Sequence, residues 1–381
     1  MNAKKILSVL IFLFCLSLLK GQEIIRSESA SIILNAKKQK DISKPSIMIV
    51  SPAVQEGNRY KTLIDRVEII GKIDNLKGPG SLFINSQKTE IDEMGAFKAT
   101  VFLKPGINEI PVIAFYDKDS KLEEKLEMEY EPPEVTLANK VRDESIYYGL
   151  IIGIDEYRDK KLGLLGNPVG DSEKLIKVLT SYYIFDPKNI IFLKNAGKDE
   201  IMEALDELRK KVTPKDNLLI FYAGHGYWDE NSNVGYWLPS DAREDSRNTW
   251  LPNSSIVDYL KEIKARHILL IADACFSGSI FKSRAVIVDR KETIQHLYEL
   301  RSRKAMTSGT LTVVPDRSAF TKYLVEKLAE NKNLLFTSEE LFSSFQEIVE
   351  NNSETKPRFG EIQNVDDKGG DFIFIKKQAE Q

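Results

Sequence analysis

Apolar residues recur with two different periods along this chain, and the change falls near residue 145. Between Pro45 and Tyr130, short runs rich in Ile, Val, Phe and Tyr occupy 46–50, 66–72, 81–85, 96–103, 109–116 and 125–130. Turn residues break them at Lys77–Gly78–Pro79–Gly80, Met94–Gly95 and Pro105–Gly106, which is the pattern of short β-strands. After Ser145 the apolar runs are unbroken: 148–154, 189–193, 217–223 and 267–272 read as strands buried on both faces. Helical patterns at 171–182, 199–212 and 255–263 lie between them, the second with Ile201, Leu205, Leu208 and Val212 on one stripe. Strand–helix alternation of this kind predicts an α/β fold with a mainly parallel central sheet and helices on both faces. The tail adds a strand at 304–308, helices at 318–330 and 338–351, and a last strand at 372–375; Thr337 and Glu340 have the spacing of a capping box.

The first set of strands resembles the small immunoglobulin-like β-sandwich modules that precede catalytic domains in exported bacterial proteins. Pro132–Pro133 marks its exit. The expected organisation is a leader at 1–21, a polar linker at 22–44, the sandwich at 45–131, a second linker at 132–145 and the α/β domain at 146–376. The leader reads as a signal peptide: Lys4 and Lys5, then 14 apolar or small residues over 6–19, then Gly21. That run is shorter than the roughly 20 residues that span a bilayer, and Phe14 and Leu13 before Cys15 are too large for a lipid-attachment signal. The expectation is export to periplasm, surface or medium, with no membrane span left after cleavage.

Composition narrows the chemistry. Hydrophobic residues make up 42% and charged residues 29%, and the net charge is −3, so nothing electrostatic points to nucleic acid. Loss of Lys4, Lys5 and Lys20 with the leader leaves 51 basic residues against 57 acidic ones, a net −6. Three histidines and two cysteines are too few for a zinc or iron–sulfur framework, and the acids Asp229, Glu230 and Asp241 lack calcium-loop spacing. No metal or cofactor is expected. A mature chain with the single cysteine Cys275 cannot form an internal disulfide; such a thiol is either buried and inert or kept for its reactivity.

Ligands of open parallel sheets bind beyond the carboxyl ends of the strands. Two strands here end unusually: 218–223 runs into Gly224–His225–Gly226, and 268–272 into Asp273–Ala274–Cys275–Phe276–Ser277–Gly278. His225 and Cys275 are 50 residues apart (275 − 225), with one helix between. A thiol needs a neighbouring imidazole to become an efficient nucleophile at neutral pH. The amides of Gly226 and Cys275 are candidates for an oxyanion site. His267 and His296 read as ordinary strand-end and surface residues, and Tyr227, Trp228, Tyr236, Trp237 and Trp250 as either a groove wall or a packed hairpin.

The two segments resemble the active-site motifs of caspase-like cysteine peptidases, and more closely those of metacaspases and their bacterial relatives. Animal caspases carry Gln-Ala-Cys-x-Gly about 50 residues after the histidine; this chain keeps the spacing but has Asp273 for Gln and an extra Ser277 before Gly278. The resemblance covers about 147–375 and is strongest over 217–226 and 267–278. It implies the caspase–hemoglobinase fold and peptide-bond hydrolysis through a thioester, with protein or peptide substrates. Cys275 would be nucleophile and His225 general acid/base, oriented by a backbone carbonyl. It also implies cleavage after Arg or Lys, with Asp273 and Asp171 in the substrate pocket; Asp171, in Asn167–Pro168–Val169–Gly170–Asp171–Ser172, reads equally as a helix N-cap. The basic residues Lys282, Arg284, Arg290, Lys291, Arg301 and Arg303 read first as a solvated loop, although caspases are cut in the corresponding region. A binding or display protein with a silent site, and an acyl-transferring transpeptidase, are the alternative functions. The oligomeric state is open.

Overall fold

The computed structural model describes residues 44–53, 59–75, 80–117, 120–274, 280–281, 293–309, 318–354 and 356–377. The expected leader, all but Lys44 of the first linker, Cys275 and the basic residues Lys282, Arg284, Arg290 and Lys291 lie outside the described residues.

Eight strands come first: β1 (Ser46–Ser51), β2 (Arg59–Thr62), β3 (Arg66–Asp74), β4 (Ser81–Ile84), β5 (Gln87–Thr89), β6 (Ala96–Phe102), β7 (Gly106–Asp117) and β8 (Ser120–Tyr130). They form two sheets, β1-β3-β6 and β2-β8-β7-β4-β5. Inward side chains of both, among them Ile69, Phe97, Leu82, Val112 and Met128, share one apolar cluster. Alternation along β3 (exposed Arg66 and Glu68, buried Val67 and Ile69) is the mark of a sheet with one face in a core.

The second part is built on a six-stranded sheet of order β10-β9-β11-β15-β16-β18. Its members are β9 (Tyr147–Gly153), β10 (Ile190–Lys194), β11 (Asn217–Ala223), β15 (His267–Asp273), β16 (Ser302–Thr307) and β18 (Arg358–Glu361). The first five run parallel and β18 is antiparallel at the edge. β9, β11 and β15 are buried at every position. Alternate residues of β11 divide between two cores: Leu218, Ile220 and Tyr222 face one cluster, Leu219, Phe221 and Ala223 the other. Full burial of each such aliphatic side chain contributes about 1.5–3 kcal/mol.

Helices cover both faces, as expected. On one lie α3 (Lys198–Lys211) and α4 (Asn253–Glu262); on the other α1 (Pro133–Glu144), α2 (Pro168–Tyr182), α6 (Ala319–Glu330) and α7 (Ser338–Asn352). The short α5 (Ile294–Glu299) leads into β16. The capping box of α7 forms: Glu340 N–H donates to Thr337 Oγ1 at 3.1 Å, and Thr337 N–H to Glu340 Oε2 at 2.9 Å. No helix of the described residues is long and apolar enough to cross a membrane.

Three features differ from the sequence expectations. Residues 132–145, expected as a linker, form α1, which buries Leu137, Ala138 and Val141 in the core. Pro133 sits in its first turn, where a missing N–H costs nothing, so the proline pair starts a helix as well as ending a strand. The last strand, β19 (Ile373–Ile375), pairs with β17 (Leu335–Thr337) outside the central sheet, and β18 takes the edge position. A small sheet of β12 (Gly226–Asp229), β13 (Val234–Trp237) and β14 (Leu251–Pro252) follows β11 directly.

His267 opens β15 in full burial, its Nδ1 2.8 Å from Ser302 Oγ and its Nε2 2.9 Å from the Tyr298 carbonyl. Burial pushes its pKa down from 6.5 to about 3. Between those values the unfolded chain holds a proton there that the folded chain does not, so stability is lost as pH falls through the window. His267→Gln should therefore lose less Tm than the parent between about pH 7 and about pH 4; an equal loss would refute the assignment.

Candidate active site

The register of the sheet brings the two unusual strand ends together. Asn217 pairs with His267 and Ala223 with Asp273, so β11 and β15 begin and end level. β9 is level with them as well, Gly153 lying opposite Ala223. His225 follows β11 by two residues. Cys275 follows β15 by two residues and lies outside the described residues; the strand that delivers it is fixed as far as the buried Ala274.

His225 is largely enclosed. Burial lowers its pKa below 6.5, while the backbone carbonyl of Leu162, accepting a hydrogen bond from the imidazole, works the other way. Nε2 is buried with no hydrogen-bond partner among the described residues. This carbonyl stands at the end of the 3-10 turn Lys160–Leu162. The His225 N–H donates to Tyr157 Oη at 2.6 Å, and Tyr222 Oη donates to the His225 carbonyl at 2.7 Å. Sequence reading missed both tyrosines and the Leu162 carbonyl. Tyr222 carried a signal, because a phenol in an otherwise apolar buried strand must find a partner. Tyr157 and Leu162 carried none, since they reach His225 across 68 and 63 residues of sequence (225 − 157 and 225 − 162).

Gly226 opens β12 opposite Trp237. The neighbouring bond from Leu238 N–H to the His225 carbonyl, at 3.1 Å, makes Gly226–Trp237 a pair that exchanges no hydrogen bonds. The Gly226 amide consequently points away from β13, as an oxyanion donor requires. The aromatic residues after His225 pack among themselves: Trp237 stacks on Tyr222 at 4.3 Å, and Trp250 lies 4.9 Å from Tyr227 and 5.5 Å from Tyr236. This is the packed hairpin, with Tyr227 left exposed.

Asp273 is buried, and its carboxyl is met by the hydroxyls of Thr321, at 2.6 Å, Ser318 and Ser308. Burial raises its pKa; the three hydroxyls oppose this, and the nearby charge of Asp171 adds to it. The two sequence candidates therefore share one field. Asp171 is not the cap of α2. Asn167 holds that position, and Asp171 stands in the first turn, accepting from Asn167 Nδ2 at 3.0 Å and pairing with Lys174 at 2.8 Å. The group that caps this helix is Asp155, just past β9, whose Oδ1 accepts from Val169 N–H at 2.7 Å. Burial raises Asp155 too, with Glu156, Asp171 and Glu173 contributing. Its sequence position gave no sign of this role.

Asp229 pairs with Arg247 at 2.5 Å, and Asp241 accepts from Lys198 N–H at 3.0 Å at the start of α3. Among the described residues, no group of three or more His, Cys, Asp or Glu side chains is arranged to hold a metal. Arg301 pairs with Asp366 at 2.8 Å, and Arg303 is buried against carbonyls including that of Ala265 at 2.9 Å. Arg301 precedes β16 with its side chain partly exposed, as a solvated loop would have it, whereas Arg303 lies within β16 and the loop expected for it is corrected to a buried strand position.

A family model described as the caspase domain, Peptidase C14, matches residues 148–368. Among solved structures, protein GSU0716 of Geobacter sulfurreducens is 16% identical with a TM-score of 0.40, covering 59% of this chain and 99% of its own. Caspase-1 of Spodoptera frugiperda is 14% identical with a TM-score of 0.42, covering 58% of this chain and 90% of its own. At these values neither likeness bears on function. No curated protein matches the chain.

In an NMR titration of the folded chain, the His225 ring should titrate below 6.5, because burial outweighs the Leu162 carbonyl. A midpoint above that value would overturn the description of its surroundings.

Proposed function

We propose a Cys–His endopeptidase, on the premise that this chain, matched over more than half its length, belongs to the caspase-domain family of cysteine peptidases. The observation that carries the proposal is the level ending of β11 and β15, with Ala223 opposite Asp273. It supports His225 and Cys275 acting on one substrate carbonyl. In this reading the imidazole takes the thiol proton, and the thiolate adds to the carbonyl carbon of the scissile peptide. The amides of Gly226 and Cys275 donate to the resulting oxyanion. Collapse forms the thioester and breaks the C–N bond as the imidazolium returns its proton to the departing amine. Water, deprotonated by the same ring, then releases the acid and the thiol. The Leu162 carbonyl orients the ring in place of a third side chain.

Specificity for Arg or Lys before the scissile bond follows from the carboxylates. Asp273 and Asp171 lie close enough to interact, and no described basic side chain pairs with Asp273. A substrate cation entering between them relieves that repulsion. Lys174, exposed on α2, has room to leave Asp171 when the cation arrives.

The N-terminal strands support an immunoglobulin-like module. Their order, β1-β3-β6 against β2-β8-β7-β4-β5 with β2 parallel to β8, has the two-sheet character of that class. Export through cleavage near Gly21 is part of the same proposal.

Purified mature chain should turn over fluorogenic peptides ending in Arg or Lys and leave Asp peptides intact, and Cys275→Ala should abolish turnover. Activity confined to Asp peptides would reverse the pocket assignment; activity surviving in Cys275→Ala would end the mechanism. Asp273→Asn should lower kcat/KM on Arg peptides at least about tenfold, roughly 1.4 kcal/mol. Because burial raises the Asp273 pKa above its usual 3.8, protonation weakens cation binding at a higher pH than for an exposed aspartate. The acid limb of kcat/KM for Arg peptides should accordingly lie above that value and change shape in Asp273→Asn. An unchanged profile would remove Asp273 from the pocket.

A further inference from the structure

Backbone groups at the end of a parallel strand normally bond to other backbone or to water. At His225 the N–H bonds to a buried phenol, and the carbonyl takes a second phenol beside its backbone partner. The N–H donates to Tyr157 Oη at 2.6 Å, and the carbonyl accepts from Tyr222 Oη at 2.7 Å as well as from Leu238 N–H at 3.1 Å. Tyr157 is 1% exposed and Tyr222 is fully buried. The Tyr157 ring also lies against the imidazole, centroids 4.8 Å apart and planes at 42°.

We propose that Tyr157 and Tyr222 are positioning residues that hold the His225 imidazole in the geometry required for proton exchange with Cys275. This rests on the peptidase reading above. Three features set these tyrosines apart from ordinary packing. First, the loop after β9 supplies two contacts to the same residue, Tyr157 to its backbone and, five residues on (162 − 157), the Leu162 carbonyl to its ring. A loop fixed at the backbone of His225 thereby fixes the acceptor that orients the ring. Second, Tyr222 is locked in turn, stacked on Trp237 at 4.3 Å and sharing its hydroxyl with the Leu238 carbonyl at 3.1 Å. The hairpin that begins at Gly226 is thus tied to the same point. Third, a Cβ on Gly224 would lie 2.9 Å from Tyr222 Oη and 3.1 Å from Tyr157 Oη. A side chain on the residue before the histidine would crowd the two hydroxyls. Burial keeps the Tyr157 phenol protonated, its pKa pushed far above the usual 10, so the contact does not change across the working range of pH.

The test uses the full chain carrying Tyr157→Phe, Tyr222→Phe or Gly224→Ala, each beside His225→Ala. Loss of ring position lowers kcat about 10- to 100-fold, while KM on an Arg peptide stays within about twofold. The pH dependence of Cys275 alkylation by iodoacetamide supplies a readout that simple destabilisation does not move. Its inflection should shift in the tyrosine variants towards the value of about 8.5 for an unassisted thiol. Gly224→Ala retains both phenols and only displaces them, so it reports on the clamp if a Tyr→Phe chain fails to fold. Normal kcat and an unmoved inflection in the variants that fold would overturn the proposal. So would a loss of Tm with kcat per folded molecule unchanged. If His225→Ala itself keeps full turnover, the peptidase reading fails first, whatever the tyrosine variants do.

Discussion

Three apolar strands, β9, β11 and β15, lie side by side with their ends level, and a slip of one residue in either pairing would turn every side chain to the opposite face. Neither pairing can slip, because each strand is buried on both faces and feeds alternate residues to two separate cores. Moving β11 by one position would carry Tyr222 from the side of Trp237 to the side of Leu175 and Phe320, away from the His225 and Leu238 carbonyls that its hydroxyl meets. The position of His225 follows from this packing as well as from its polar contacts. The same register places Gly153, Ala223 and Asp273 along one edge, so the loops that leave β9 and β11 share a small volume beside the end of β15.

What occupies that volume is polar, and it is satisfied by unusual partners. Leaving a buried N–H or carbonyl unpaired costs about 1–3 kcal/mol. At His225 both groups are matched by phenols, which reach further than backbone and bring rigid rings with them. A phenol has few rotamers to lose, so fixing it is cheaper than fixing a lysine or glutamine of similar reach. The Tyr157 ring also lies against the imidazole, whose pKa is lowered chiefly by burial. The orphaned Nε2 is the one ring atom left open to a partner beyond the described residues.

Much of this was legible in the sequence because periodicity reports burial. Residues 217–223 and 267–272 read as double-faced strands, and the structure places His225 and Asp273 at their level ends. The helix at 133–144 was hidden because Pro132–Pro133 is compatible both with a stiff exit and with a first helical turn. The edge strand β18 was hidden because Arg358–Phe359–Gly360–Glu361 has no distinctive pattern; its place is decided by Lys304 and Met306 across the pairing. Tyr157, Leu162 and Asp155 were invisible for a different reason. Each acts through a contact distant in sequence, and tertiary packing alone creates it.

Two of the carboxylates at this edge, Asp155 and Asp273, are met by helix starts, whereas Asp171 pairs with Lys174. Asp155 accepts from the first turn of α2, and Asp273 from Ser318 and Thr321 at the start of α6. A helix N-terminus carries roughly half a positive charge, screened within a turn. Two of them stabilise the acids without cancelling their field. A lysine or arginine paired with Asp273 would have neutralised it, and a substrate cation would then have had to displace that pair. Hydroxyl and amide donors cost the site nothing of this kind, since they tolerate an incoming cation on the carboxylate's free side. Burial nonetheless raises the Asp273 pKa, so these donors do not compensate fully for lost solvation. The part of that desolvation left uncompensated is what a guanidinium or ammonium group would relieve more strongly than a neutral donor, and the Arg/Lys preference proposed above rests on it.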